Sequence, residues 1–189
     1  MKSSTKNLCV LAMGIALYVV LSLCIQVPVF ENYYLCLGYV VMAVYCYSFG
    51  PLKGTLVGFL GVILYCLVTN GLRGMPGWSA GNIVIGIIVG STCKLTEKTE
   101  NILLRHIVIA FSIVVSTAIA MLGVKSVIEY FLYSQPFVLR TANNIYAFVA
   151  DVFVLIFSLP ICHKIHQLLK NISLKYANKN GGIYEPRRL

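Results

Sequence analysis

The sequence predicts an all-α integral membrane fold: a six-transmembrane-helix bundle with both termini cytoplasmic. Three observations predict it. Hydrophobic residues make up 59% of the 189 positions and charged residues only 11%, with a mean hydropathy of +0.85. A soluble domain carries about 25% charged residues, so a water-soluble core is excluded. Six nearly unbroken apolar stretches follow one another, divided by short polar segments. Finally, the cations gather in alternate segments, as loops on one face of a membrane would.

Each element has its own signal. Span one covers residues 7–27 and stops at Pro28; its apolar run is too long for the core of a signal peptide, and no small-x-small cleavage site follows. Leu23 directly before Cys24 also spoils a lipoprotein cleavage site. A short loop, residues 28–32, carries Glu31 and no cation. Span two, residues 33–49, ends at Gly50-Pro51, a strong turn signal, and span three, residues 52–69, follows at once. Residues 70–78 form a loop rich in glycine and proline. Span four covers residues 80–93, a hydrophilic stretch runs from 94 to 105, and span five covers 106–123. Residues 125–140 extend span five as a helix and turn at Gln135-Pro136. Span six covers residues 141–162, and the basic tail frays after Asn171. The expected organisation is therefore one membrane domain, residues 1–171, and a disordered basic cytoplasmic tail, residues 172–189. Six spans of about 20 residues leave no room for a soluble catalytic domain.

Orientation follows from the cations. One side of the membrane receives Lys2, Lys6, Lys53, Lys94, Lys98, Arg105, Lys164, Lys170, Lys175, Lys179, Arg187 and Arg188; the other receives Arg73, Lys125 and Arg140. The richer side is cytoplasmic by the positive-inside rule. The formal net charge of +9 thus reports topology, and nucleic acid is not an expected partner.

The groups that carry chemistry lie on the outer side. Arg73 shares the glycine-rich loop with Asn70 and the single tryptophan, Trp78; Lys125 precedes Glu129 by four residues, and Arg140 opens span six. Two readings stand: these groups solvate at the interface with Trp78 in an aromatic belt, or they converge on a ligand. On span six, Arg140, Asn144 and Asp151 fall at i, i+4 and i+11, close to one helical face. Asp151 lies about 15 Å into the span, where an unpaired carboxylate costs several kcal/mol, so intramembrane acids are functional candidates by default. It either makes a structural hydrogen bond to a neighbouring helix or floors a polar cavity walled by Asn144 and Arg140. Asn82, near the outer start of span four, is placed on the same cavity.

Small residues form a second pattern. Ala12 and Ala16 flank Gly14 on span one; Gly54, Gly58 and Gly61 lie on span three; Gly86 and Gly90 lie on span four. Such spacing lets helix backbones approach closely in lipid. Spans three and four are expected to use it inside the bundle, whereas span one has an external helix as a competing partner.

Other chemistry lacks its residues. The sequence has no phosphate-binding Gly-x-x-x-x-Gly-Lys-Ser/Thr loop, no His-Glu-x-x-His and no Gly-x-Ser-x-Gly. His106, His163 and His166 are read as solvated helix ends. The seven cysteines are scattered singly through apolar runs and are read as packing residues. An enzyme, a metal site and a bound cofactor are therefore not expected.

With these residues in view the chain resembles a known family. Six spans in under 200 residues, termini inside, and the Ala12-x-x-x-Ala16 pattern resemble the S components, or substrate-binding subunits, of energy-coupling factor (ECF) vitamin transporters. Residues 37–45 (LGYVVMAVY), 48–61 (SFGPLKGTLVGFLG) and 76–90 (PGWSAGNIVIGIIVG) are similar to the riboflavin-type branch. The likeness is strongest over residues 7–94 and lies in topology beyond them.

The resemblance implies a subunit that binds a vitamin or related micronutrient from outside, in a bacterial plasma membrane. It further implies docking through span one, at Ala12 and Ala16, onto a transmembrane coupling subunit driven by two cytoplasmic ATPases, with toppling of the S component releasing ligand inward. Ligand contacts are expected from Glu31, Asn32 and Tyr33 of the first outer loop, from Asn70, Arg73, Trp78 and Asn82, and from Arg140, Asn144 and Asp151 of span six. A flat heterocycle suits the aromatic and amide groups. The competing class is a membrane scaffold or assembly protein with no small ligand, and an enclosed outer pocket discriminates the two.

Overall fold

The computed structural model describes residues 2–24, 26–30, 33–99, 101–134 and 136–179. Helix α1 spans Lys2–Cys24, strands β1 and β2 span Gln26–Phe30 and Tyr33–Cys36, and α2 spans Gly38–Phe49. Helices α3 (Pro51–Val68) and α4 (Met75–Leu95) follow, then a 3-10 turn, Thr96–Lys98. Helix α5 (Ile102–Ala118) passes through a π-helical segment, Ile119–Lys125, into α6 (Ser126–Tyr133), and α7 covers Phe137–Lys179.

Five helical stretches are long and apolar enough to cross a membrane: Thr5–Cys24, Pro51–Val68, Met75–Lys98, Ile102–Tyr133 and Phe137–Lys175. The sixth helix, α2, has 12 residues, about 18 Å of helix against a hydrocarbon core of about 30 Å. It is the axis of the bundle, packed by α1, α3, α4 and α7, and Tyr39, Met42 and Cys46 are fully buried in it. The outer faces carry large apolar side chains, among them Phe111, Phe131 and Phe157. In water such a surface would drive aggregation; against acyl chains it is the matched solvent.

Sequence signals explain the boundaries. Gly50 takes φ 88°, a left-handed conformation that ends α2 without a Cβ clash, and Pro51 opens α3 at a position where its missing N–H costs nothing. The Asn101 side chain caps α5, accepting from the Leu103 and Leu104 amides at 3.0 and 3.3 Å, worth about 1 kcal/mol. Ser134 in the left-handed region ends α6.

Two expectations require correction. The segment read as the end of span one, a loop and the start of span two is an antiparallel ribbon, with Gln26 opposite Cys36, Val27 opposite Leu35 and an irregularity after Pro28. Valines and aromatics favour extended backbone there, and Pro28 cannot sit inside a helix. The ribbon occupies the chain between α1 and α2 and leaves α2 short. At the other terminus, α7 continues to Lys179, so the expected boundary at Asn171 falls within a helix.

Close helix approach is built from glycine. A Cβ on Gly86 would lie 2.6 Å from the Thr55 Cα, and one on Gly90 would lie 2.4 Å from the Pro51 Cα. Both are backbone contacts that no rotamer change relieves, and they set the α3–α4 spacing. On α1, Gly14 turns inward against Tyr45, whose hydroxyl donates to the Val10 carbonyl at 2.7 Å.

Candidate functional site

At one end of this apolar bundle lies a cavity of about 720 Å³. That size matches small-molecule sites, which run about 300–1,000 Å³. Ser22 from the end of α1 and Arg140 from the start of α7 both line it. The N-terminus of α1 and the far half of α7 therefore share the opposite end.

Two helical stripes supply most of its polar wall. On α7 the stripe is Arg140, Asn143, Ala147 and Asp151, at i, i+3, i+7 and i+11. On the α5–α6 rod it is Lys125, Glu129 and Tyr133, at i, i+4 and i+8. The π-helical segment matters here, since its wider turns rotate everything after it. Met121 and Lys125 are buried within it, and Ser126 and Glu129 follow on the buried side. Tyr65, Thr69, Asn70, Arg73 and Trp78 close the remaining side from the end of α3 to the start of α4, with Cys36 of β2 opposite.

The charges are arranged by depth. Lys125, Glu129 and Asp151 are 7%, 5% and 5% exposed, and these low values mark them as the inner group. Lys125 has Glu129 and Asp151 as its countercharges and Arg140 as a like charge. Its alkyl stem lies over Gly77, where a Cβ would come within 3.0 Å of the Lys125 Cγ. Asp151 also sits beside the Tyr39 hydroxyl. Glu129 is held by the Asn144 amide, which donates to its Oε2 at 3.3 Å and to the Ser126 Oγ at 3.0 Å. Nearer the mouth, the Arg73 guanidinium lies 5.1 Å from the centre of the Tyr133 ring, and the Tyr133 hydroxyl donates to the Arg73 carbonyl. The Arg140 Nε is buried with no hydrogen-bond partner.

Below the cavity a hydrogen-bonded layer fixes the floor. The Trp78 indole N–H donates to the Tyr39 hydroxyl, which donates to the Asn82 Oδ1, both at 2.8 Å. The Asn82 amide donates to the Gly58 carbonyl at 3.0 Å and to the Tyr18 hydroxyl at 3.3 Å. With its N–H committed to Tyr39, Trp78 offers the cavity only its ring, set edge-on to Tyr65 at 5.7 Å.

Of the residues chosen from the sequence, Asn70, Arg73, Trp78, Arg140 and Asp151 come together around this space. Asn82 and Asn144 do not reach it. Both are fully buried, Asn82 as a structural bracket beneath the floor and Asn144 as a clamp on Glu129; the neighbouring Asn143 lines the wall instead. Glu31 and Asn32 lie outside the described residues, as does the side chain of Tyr33, whose backbone belongs to β2. Ala12 and Ala16 are exposed on α1, on the side away from Gly14. The sequence reading named Lys125 with Glu129 among groups that either solvate or converge on a ligand, without counting them among the expected contacts, and did not single out Tyr133. Their signal was an i, i+4, i+8 polar stripe within an apolar run, obscured because π-helical turns break the expected phase.

At the opposite end the histidines are less solvated than expected. Tyr47 stacks edge-on with His166 at 5.5 Å, its hydroxyl lies 3.3 Å from the His163 Nδ1, and the Arg105 guanidinium lies 4.4 Å over its ring. Among the described residues no group of three histidine, cysteine or acidic side chains is placed to hold a metal.

Comparison with known proteins agrees with this architecture. A family model described as "ECF-type riboflavin transporter, S component" matches residues 2–167. A UPF0397 protein of Lactococcus lactis subsp. cremoris is 31% identical over 139 residues, covering 71% of this chain and 75% of the relative. Another, from Aliivibrio salmonicida, is 28% identical over 167 residues, covering 82% and 91%. A third, from Vibrio atlanticus, is 28% identical over 141 residues, covering 72% and 77%.

Proposed function

This chain belongs to the family of ECF-type riboflavin transporter S components, and on that premise we propose that it captures a vitamin or related micronutrient outside a bacterial cell and delivers it inward. Members of this family are substrate-binding subunits without catalytic activity of their own. The energy for transport comes, on this reading, from a membrane-embedded coupling subunit and two cytoplasmic ATPases.

The observation that carries the proposal is the cavity at one end of an otherwise apolar bundle. Five ionisable side chains line it (Arg73, Lys125, Glu129, Arg140 and Asp151). Three of them, Lys125, Glu129 and Asp151, are buried, and a scaffold protein gains nothing from burying such groups, each costing about 3 kcal/mol near the bilayer centre unless compensated. In a receptor the same groups are the recognition surface.

The distribution of cations supports an outward cavity. Lys6, Lys53, Lys94, Lys98, Arg105 and Lys164 lie toward the other end, which the positive-inside rule assigns to the cytoplasm. On this reading α2 and the ribbon together make a second crossing, which gives six and leaves both termini on the cytoplasmic side. Candidate ligand contacts are Asn70, Arg73, Trp78, Arg140 and Asp151, joined by Lys125, Glu129 and Tyr133. The exposed Ala12 and Ala16 suit close docking of a partner helix, since small side chains permit backbone approach.

Purification of the tagged chain from its own membranes tests this reading. A coupling subunit and two ATPases should accompany it, and uptake of the compound it retains should cease when the ATPases are inactivated. A chain that purifies alone and retains nothing would return the assignment to a scaffold.

A further inference from the structure

We propose that the ligand carries an acidic group, a carboxylate or phosphate, received at the cavity mouth by Arg140 with Arg73. This inference rests on the capture reading above and specifies the chemistry of what is captured.

The inner group sets one cation against two carboxylates. Lys125 faces Glu129 and Asp151, and Glu129 is further held by the Asn144 amide. Arg140 and Arg73 stand beyond that set and bring the lining to three cations against two carboxylates, one positive charge in excess. The Arg140 Nε is buried, lacks a hydrogen-bond partner and belongs to a residue that lines the cavity. A buried guanidinium donor left unsatisfied is costly, and an anion seated against the same guanidinium offsets that cost through its charge. Arg73 is fixed at the same mouth by Tyr133, which lies under its guanidinium and donates to its carbonyl. A guanidinium held over an aromatic ring keeps its edge donors free for a planar or tetrahedral anion.

A neutral ligand would leave this pair unanswered. Riboflavin has no acidic group at neutral pH, so a site built for it needs ring-stacking surfaces and amide partners but no surplus guanidinium. Depth sets the ligand's polarity: the acidic end lies at the mouth, and the buried end carries hydrogen-bond donors toward Asp151 and Glu129. The aromatic wall of Tyr65 and Trp78 flanks the part between.

The test uses the full chain in detergent. Small molecules released from the purified protein are identified by mass spectrometry, and the affinity of the released compound is measured for wild type, Arg140→Gln, Arg140→Lys and Arg73→Gln. Thermal unfolding reports whether each variant is folded. The expected compound bears a carboxylate or phosphate, and its affinity falls about tenfold to a hundredfold in Arg140→Gln. The loss in Arg140→Lys is smaller, and Arg73→Gln on the exposed rim is folded and weakened. A retained compound without an acidic group, or equal affinity in the folded glutamine variants, overturns the inference while leaving capture intact. Wild-type protein that retains nothing overturns the capture reading itself, and the inference with it.

Discussion

The alkyl stem of Lys125 crosses directly over Gly77, so close that a Cβ there would stand 3.0 Å from its Cγ. Gly77 begins α4 and Lys125 ends the π-helical segment, and the absent side chain is what admits a lysine into the cavity wall. Gly77→Leu should therefore displace the ammonium from Glu129 and Asp151. We expect ligand affinity to drop at least about tenfold with membrane insertion retained, since lost charge-assisted contacts are worth about 1.5–3 kcal/mol. Titration of the co-purified compound against the solubilised variant checks this; unchanged affinity would remove Lys125 from the site.

Asp151 is a second direct test. Asp151→Asn keeps the shape of the side chain and removes the charge opposite Lys125. The ligand should bind more weakly, while the variant elutes as a monodisperse species in gel filtration. Affinity equal to wild type would make Asp151 a packing group.

Asn82 separates support from contact. It brackets Tyr39, Tyr18 and Gly58 beneath the floor without reaching the cavity. Asn82→Leu should lower thermal stability by about 1–3 kcal/mol through unpaired polar groups. Any effect on binding should follow the loss of folded protein. A variant of normal stability with abolished binding would show that Asn82 meets the ligand after all.

Ala12→Trp with Ala16→Trp addresses the exposed face of α1. Neither side chain packs inside the chain, so the folded structure should tolerate both changes. Ligand binding by the isolated chain should persist while uptake in cells falls to background. Loss of binding would place these residues in the fold, not at a partner.

Gly90→Leu tests the packing of α3 on α4. The new side chain would drive into the Pro51 backbone, and overpacking of a rigid contact costs about 1–3 kcal/mol or more. Reduced melting temperature in detergent is the expected outcome; wild-type stability would mean that the two helices separate easily.

Much of this arrangement was legible in advance, for identifiable reasons. The long helices were readable because a membrane requires about 20 consecutive apolar residues, a pattern with few competing explanations. Gly50-Pro51 marked a boundary through local backbone chemistry, whereas α5 begins at Ile102 behind the Asn101 cap, inside the stretch read as hydrophilic. The paired strands at residues 26–30 and 33–36 escaped because an apolar run suits a strand or a helix equally, and only the pairing distinguishes them. Arg140 and Asp151 were readable as one face of a regular helix. Lys125 and Glu129 were visible as outer polar groups but not as cavity wall, and Tyr133 was not singled out, because a π-helical segment shifts the phase of every residue beyond it.

The sequence by itself determined the solvent of this protein, the number of its apolar segments and the asymmetry of its charge, since each depends on composition along the chain. Tertiary structure alone decided which of two adjacent asparagines, Asn143 or Asn144, meets the cavity. It likewise decided that Asn82 is a bracket beneath the floor and that Lys125 enters the wall. Those outcomes turn on the rotation of one helix against another by a fraction of a turn, fixed by contacts such as Gly86 on Thr55 and Gly77 on Lys125, and no periodicity within a single helix specifies them.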